Sequence, residues 1–112
     1  MSGRSPRWFT GIKYPKWTVA ISGDLMSGYG TATIGGTEYT AATTVDAERD
    51  ETASVFVSAG SSSNRPKCRV TLNGETVQSG YGTYTFPITG DTTIVFTRVS
   101  SYNYWSCAIT MG

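Results

Sequence analysis

An all-β fold is predicted, and three observations predict it. Thr, Ser and Gly fill 18, 13 and 13 of the 112 positions, a small and polar composition suited to exposed strand faces and tight turns. Val and Ile together number 14 against two leucines, Leu25 and Leu72. β-Branched side chains lose rotamer freedom in a helix but fit a pleated surface. After Lys16, apolar and polar residues alternate with a period of two along almost the whole chain, the pattern of strands with one buried face. The length suits one domain, and 38% hydrophobic with 12% aromatic residues suffices for a modest core. A helical bundle, a coiled coil, a membrane span and a multidomain enzyme are excluded.

The chain opens on a distinct element. Arg4, Arg7, Lys13 and Lys16 precede the first acidic residue, Asp24, and interleave with Trp8, Phe9, Ile12 and Tyr14 between Pro6 and Pro15. Each proline biases the residue before it, Ser5 and Tyr14, toward extended backbone. Residues 1–16 therefore read as an extended basic and aromatic arm, and residues 17–112 as a single β-sandwich domain. Such an arm suits docking on a sheet edge or groove of another subunit, through Arg4, Arg7, Trp8, Phe9, Lys13, Tyr14 and Lys16. A frayed terminus, or an added strand of its own domain, uses the same residues. With four cations here and no basic face elsewhere, specific nucleic-acid binding is not expected. The arm holds no apolar run of the ~7–15 residues that a signal peptide needs, and Val19–Ile21 is too short to cross a bilayer. The expectation is a protein made in a cytoplasm that leaves it, if at all, by lysis or assembly, with no membrane partner.

Strands are expected at Trp17–Ser22, Gly30–Gly35, Glu38–Val45, Ala53–Ala59, Lys67–Asn73, Thr76–Ser79, Thr83–Ile88, Thr92–Val99 and Asn103–Met111. Ser22-Gly23-Asp24, Gly35-Gly36, Asn73-Gly74 and Thr89-Gly90-Asp91 supply the turns between them. Asn73-Gly74 is the strongest hairpin signal, because a type I′ turn needs positive φ at both central residues. The polar stretch from Gly60 to Pro66 reads as a loop. Val19, Ile21, Ile34, Val55, Val57, Val70, Leu72, Phe86, Ile94, Phe96, Trp105 and Ile109 form the expected core. Trp17, Tyr39 and Tyr84 fall on the same inward faces. A faint repeat aligns Ala32–Tyr39 with Val70–Val77 and Ser54–Val57 with Thr93–Phe96; any two hairpins in a Thr/Gly-rich sandwich resemble each other as much.

The run V-T-L-N-G-E-T-V, followed by G-Y-G-T-Y-T-F-P-I-T-G-D-T-T-I-V-F, resembles the immunoglobulin-like and PEGA-like β-domains of phage virion and bacterial surface proteins. The likeness spans roughly Thr18 to Thr110. It implies an immunoglobulin-like β-sandwich of about eight or nine short strands and a structural or adhesive role, and it transfers no functional residue. The antibody-type pattern of a tryptophan midway between two cysteines is absent, since Trp105 stands two residues before Cys107.

Catalytic templates find little support. The chain has no histidine, hence no Ser–His or Cys–His pair and no histidine metal ligand. Cys68 and Cys107 match no zinc spacing and fall on the apolar side of their strands, as buried thiols or, in an oxidising compartment, a disulfide. Asp46, Glu48, Asp50 and Glu51 crowd one connection without the spacing of a calcium loop, and read as a solvated turn. No catalytic residue, metal or cofactor is assigned. The aromatic excess is more telling: Tyr102 and Tyr104 lie on the face opposite Trp105. With Asn103 they form the one compact candidate for a protein interface or for sugar stacking. The resulting expectation is a non-enzymatic virion subunit, a phage capsid decoration, head fibre or tail accessory protein, that docks on other virion subunits or its own copies. The alternative is a carbohydrate-binding or adhesive module.

Overall fold

The computed structural model describes residues 16–60 and 62–112. They form ten strands: β1 (Trp17–Gly23), β2 (Gly30–Ile34), β3 (Thr37–Tyr39), β4 (Thr43–Ala47), β5 (Thr52–Val57), β6 (Arg69–Leu72), β7 (Glu75–Ser79), β8 (Gly82–Pro87), β9 (Thr92–Val99) and β10 (Tyr104–Met111). A six-stranded sheet runs β4-β1-β9-β10-β6-β7 and a four-stranded sheet runs β3-β2-β5-β8. Apolar residues from both sheets share one core, with Trp105, Phe96, Ile21, Ile88, Ile94 and Ile109 its largest fully buried side chains.

The two sheets are related in a simple way. The hairpin β2–β3 lies in the small sheet, β4 crosses to the large one and β5 returns; β6–β7 lies in the large sheet, β8 crosses to the small one and β9 returns. Matching β3, β2, β5 and β8 to β7, β6, β9 and β4 turns the small sheet into the large one with two strands inserted. The inserted strands are β10, between β6 and β9, and β1, between β9 and β4. An extra strand placed between two antiparallel neighbours must run parallel to one of them. That accounts for the two parallel ladders, β1 with β9 and β10 with β6, in an otherwise antiparallel fold. The faint sequence repeat thus has a topological counterpart, with β10 separating strands that pair directly in the first half.

Two aspartates clip β1 to β9. Near one end, Thr18 N donates to Asp91 Oδ1 at 3.0 Å; toward the other, Arg98 N donates to Asp24 Oδ2 at 2.9 Å. Gly23, at φ +95°, sits so close to β9 that any Cβ would strike the Phe96 carbonyl. Asn73 (φ 51°) and Gly74 (φ 87°) form the expected hairpin turn between β6 and β7.

Several expectations need correction. The single strand at Glu38–Val45 is two strands in different sheets: Tyr39 pairs with Ala32, whereas Val45 pairs with Val19. The chain changes sheets at residues 40–42, and an apolar–polar alternation cannot report which sheet a strand joins. The expected loop contains a 3-10 helix, Ser62–Lys67. Leu72, expected in the core, is half-buried, as are Trp17, Tyr39 and Tyr84. Ile88 and the alanines 32, 47, 53 and 59 are core residues that the expected set lacked.

Candidate functional site

The end of the fold that carries the β9–β10 turn gathers the candidate residues. Past Val57, the chain of β5 leaves its own sheet and bridges to β10, with Ala59 opposite Tyr104. Gly60 N donates to Asn103 O at 3.2 Å and Trp105 N to Ser58 O at 3.1 Å, so the two sheets are tied together here. Val99 O accepts from both Tyr102 N and Asn103 N, at 3.1 and 2.6 Å, and Asn103 takes the left-handed conformation, φ 52°. The Asn103 side chain is itself engaged: its Oδ1 accepts from Arg98 Nε and Nη2 at 3.2 and 3.0 Å. Arg98 in turn lies 5.1 Å over the Trp105 ring. A rigid, hydrogen-bonded base therefore presents Tyr102 and Tyr104.

Of the proposed pair, Tyr102 is 51% exposed and Tyr104 is half-buried, with ring centroids 6.2 Å apart. Lys67 Nζ stands 3.9 Å above the Tyr102 ring. Beside it on the same 3-10 helix, Arg65 lies 4.5 Å over Tyr81, which is 53% exposed. Gly80 (φ +91°) and Gly82 (φ +134°) make the turn that projects Tyr81, and Gly80 N is anchored on Cys68 O at 2.7 Å. Ser62, Arg65, Pro66, Ser79, Gly80 and Tyr81 enclose an open cavity of about 470 Å³. Cation–aromatic contacts of this kind are worth about 0.5–1 kcal/mol at exposed sites, enough to orient these side chains.

Arg65, Lys67 and the cavity were not singled out in the sequence. The two cations sit in a polar stretch that reads as a connector, and nothing local pairs residue 65 with residue 81. The only signal was Tyr81 itself, an aromatic flanked by two glycines.

The arm residues Arg4, Arg7, Trp8, Phe9, Lys13 and Tyr14 lie outside the described residues. Lys16 is described, and it sits at the opposite end of the fold, 3.1 Å from Glu48. That hydrogen bond and ion pair raise the Lys16 pKa. The acidic turn is locally organised as well, with Glu51 Oε1 accepting from Glu48 N at 3.0 Å. Cys68 and Cys107 are free and buried. Burial pushes the Cys68 thiol above its ordinary pKa and the Cys107 thiol up to about 12, so neither is a ready nucleophile.

The first and last strands of the β-domain place this end relative to the rest of the fold. β1 begins below the level of Thr92, and β10 finishes opposite it, with Met111 paired to Thr92. The start of β1 and the end of β10 therefore lie at one end of the β-domain, while Tyr81 and Tyr102 stand at the other. Eight residues of β9 separate the two ends by about 25 Å at a rise of ~3.3 Å each. Compared with known protein families, curated proteins and solved structures, the chain finds no match.

Proposed function

We propose that this protein is a non-enzymatic structural subunit of a virion, a phage capsid decoration, head fibre or tail accessory protein, built on an immunoglobulin-like sandwich. One observation carries the reading: both ends of the β-domain's chain lie at one pole, and the exposed tyrosines with their cations at the other. Residues 1–16 then anchor the domain on a neighbouring subunit through Trp8, Phe9 and Tyr14, and the far pole faces outward. Repetition on a symmetric lattice lets a modest contact per copy suffice. The test is co-sedimentation of the full chain with purified particles, alongside mass spectrometry of those particles. The chain should be a particle component, and replacing Trp8, Phe9 and Tyr14 by alanine should release it. Absence from the particles, or unchanged association of the triple variant, overturns the reading.

The second reading, a carbohydrate-binding or adhesive module, is favoured by the two cation–tyrosine pairs at the outward pole. Rigid rings offer a stacking face for a sugar, and the adjacent donors suit its oxygens. The two readings are compatible, since an outward pole on a particle is where an adhesive surface would act. Saturable binding to a glycan panel, abolished by Tyr102→Ala or Tyr104→Ala with the fold intact, is the expected result; a panel with no saturable binder refutes it.

A further inference from the structure

We propose that the cavity between Arg65 and Tyr81 is a subsite for an acidic sugar unit, in which the guanidinium of Arg65 receives the sugar's carboxylate. The inference rests on the carbohydrate-binding reading above and names its ligand chemistry.

Among the described residues, no hydrogen-bond acceptor reaches the buried Arg65 Nε, and on the neighbouring strand β7 Gln78 Nε2 is in the same condition. A buried donor without an acceptor costs about 1–3 kcal/mol, and native structures rarely leave one without cause. No carboxylate among the described residues pairs with Arg65, although its side chain is held in place over Tyr81. Arg65 is thus held in place with no carboxylate partner among the described residues, and it lines a cavity that opens to solvent. A planar fork of N–H donors matches a carboxylate in two parallel hydrogen bonds.

The rest of the lining says what carries that carboxylate. The lining includes two hydroxyl-bearing residues, Ser62 and Ser79, beside the apolar Pro66 and the aromatic Tyr81. Hydroxyls beside an aromatic ring suit the mixed polar edge and apolar face of a sugar ring. A single guanidinium suits one charge per unit. A nucleic-acid strand carries a phosphate on every nucleotide and needs open faces for its bases. Lys67 over Tyr102 repeats the arrangement of Arg65 over Tyr81 two residues further along the helix, so a polymer with recurring acidic units can occupy both places.

The experiment is a titration of the full chain, followed by nuclear magnetic resonance and calorimetry. The probes are a uronic-acid-containing oligosaccharide, a neutral oligosaccharide of the same length, inorganic phosphate and oligothymidylate. The uronic oligosaccharide should bind saturably and perturb Arg65, Ser79 and Tyr81, and the neutral one should bind at least about tenfold more weakly. Arg65→Gln should remove that preference and Arg65→Lys reduce it, because an ammonium lacks the fork; Tyr81→Ala should weaken binding about tenfold. Arg65 is half-buried and Tyr81 is exposed, and an unchanged thermal midpoint shows that each variant is folded. Binding that depends on Tyr102 but is unaltered by Arg65→Gln overturns this inference and leaves the carbohydrate reading standing. Binding to none of the sugars overturns both. Saturable binding of phosphate or oligothymidylate in preference to the uronic sugar overturns the assignment of the ligand.

Discussion

Gly30 lies directly against the edge of Trp105: a Cβ built on it would stand 2.7 Å from the indole Cδ1 and 3.1 Å from the ring of Phe96. The glycine gives the core's largest side chain its room. Tyr29 stacks on the same indole at 4.9 Å, and Trp105 Nε1 donates to Asp24 O at 2.8 Å, so the ring is fixed from three directions. Gly30→Ala should lower stability by about 1–3 kcal/mol through overpacking. Trp105→Ala should cost about 3–5 kcal/mol. In the double variant the alanine at 30 should cost far less, because its opponent is gone. Urea denaturation of the four proteins measures this, and additive losses would show that the contact is not the cause.

Asn73 does two jobs that substitutions separate. It holds a positive φ at the β6–β7 turn, and its Oδ1 accepts from Met111 N at 2.8 Å, tying the turn to the end of β10. Asn73→Gly keeps the conformation and loses the hydrogen bond, which should cost about 1 kcal/mol. Asn73→Ala loses both and should cost about 2–3 kcal/mol. Asn73→Asp should lie nearest the parent. A different ranking by chemical denaturation would assign the residue another role.

The aspartate clips on β1 predict a local effect. Removing the carboxylate with Asp91→Ala frees Thr18 N, and Asp24→Ala frees Arg98 N. Both contacts are exposed, so water replaces part of each loss and the global cost should be about 1 kcal/mol or less. Amide hydrogen exchange should respond more sharply. Thr18 should exchange faster in Asp91→Ala, with β6 unaffected. Uniform acceleration across both sheets would contradict a local clip.

Cys107 predicts the alkaline limb of the stability curve. Its thiol is raised from 9.0 to about 12 in the folded protein by burial. Below pH 9 both folded and unfolded states hold the proton and the group contributes no pH dependence. Above pH 9 the unfolded chain ionises first, so stability falls with rising pH, by up to about 1.4 kcal/mol per pH unit, until the folded thiol titrates. Cys107→Ala should flatten this limb between pH 9 and pH 11 while lowering stability at pH 7. An unchanged slope would place its origin elsewhere. The Cys107 thiol should also react with a disulfide reagent at pH 8 only as fast as the protein opens.

How far the sequence reveals all this depends on whether the signal is local. Asn73-Gly74 is legible because a hairpin turn is set by the conformations of two adjacent residues. Trp105, Phe96 and Ile21 are legible because a period of two sorts a strand's faces. The assignment of β3 and β4 to different sheets is not, since Tyr39 and Val45 both face the core whichever sheet they join. Core alanines such as Ala53 escape because a small side chain reads as neutral until a neighbour packs on it. At the candidate site, Tyr102 and Tyr104 show themselves by alternating with Trp105. Arg65 meets Tyr81 only through the folding of the 3-10 helix against the β7–β8 turn, a contact with no counterpart in spacing or composition.

The placement of β1 within its sheet also bears on how the molecule carries load. The strand that follows residues 1–16 is flanked on both sides, by β4 and by β9, and lies along the line that joins the two poles. Tension between an anchored amino-terminal segment and a ligand held at the tyrosine pole would pull β1 lengthwise past both neighbours. Interstrand hydrogen bonds run across that direction, so the two ladders resist together in shear rather than opening one bond at a time like a zip. An edge strand in the same place would have one ladder to resist with. A tether joined to β1 therefore loads two ladders at once.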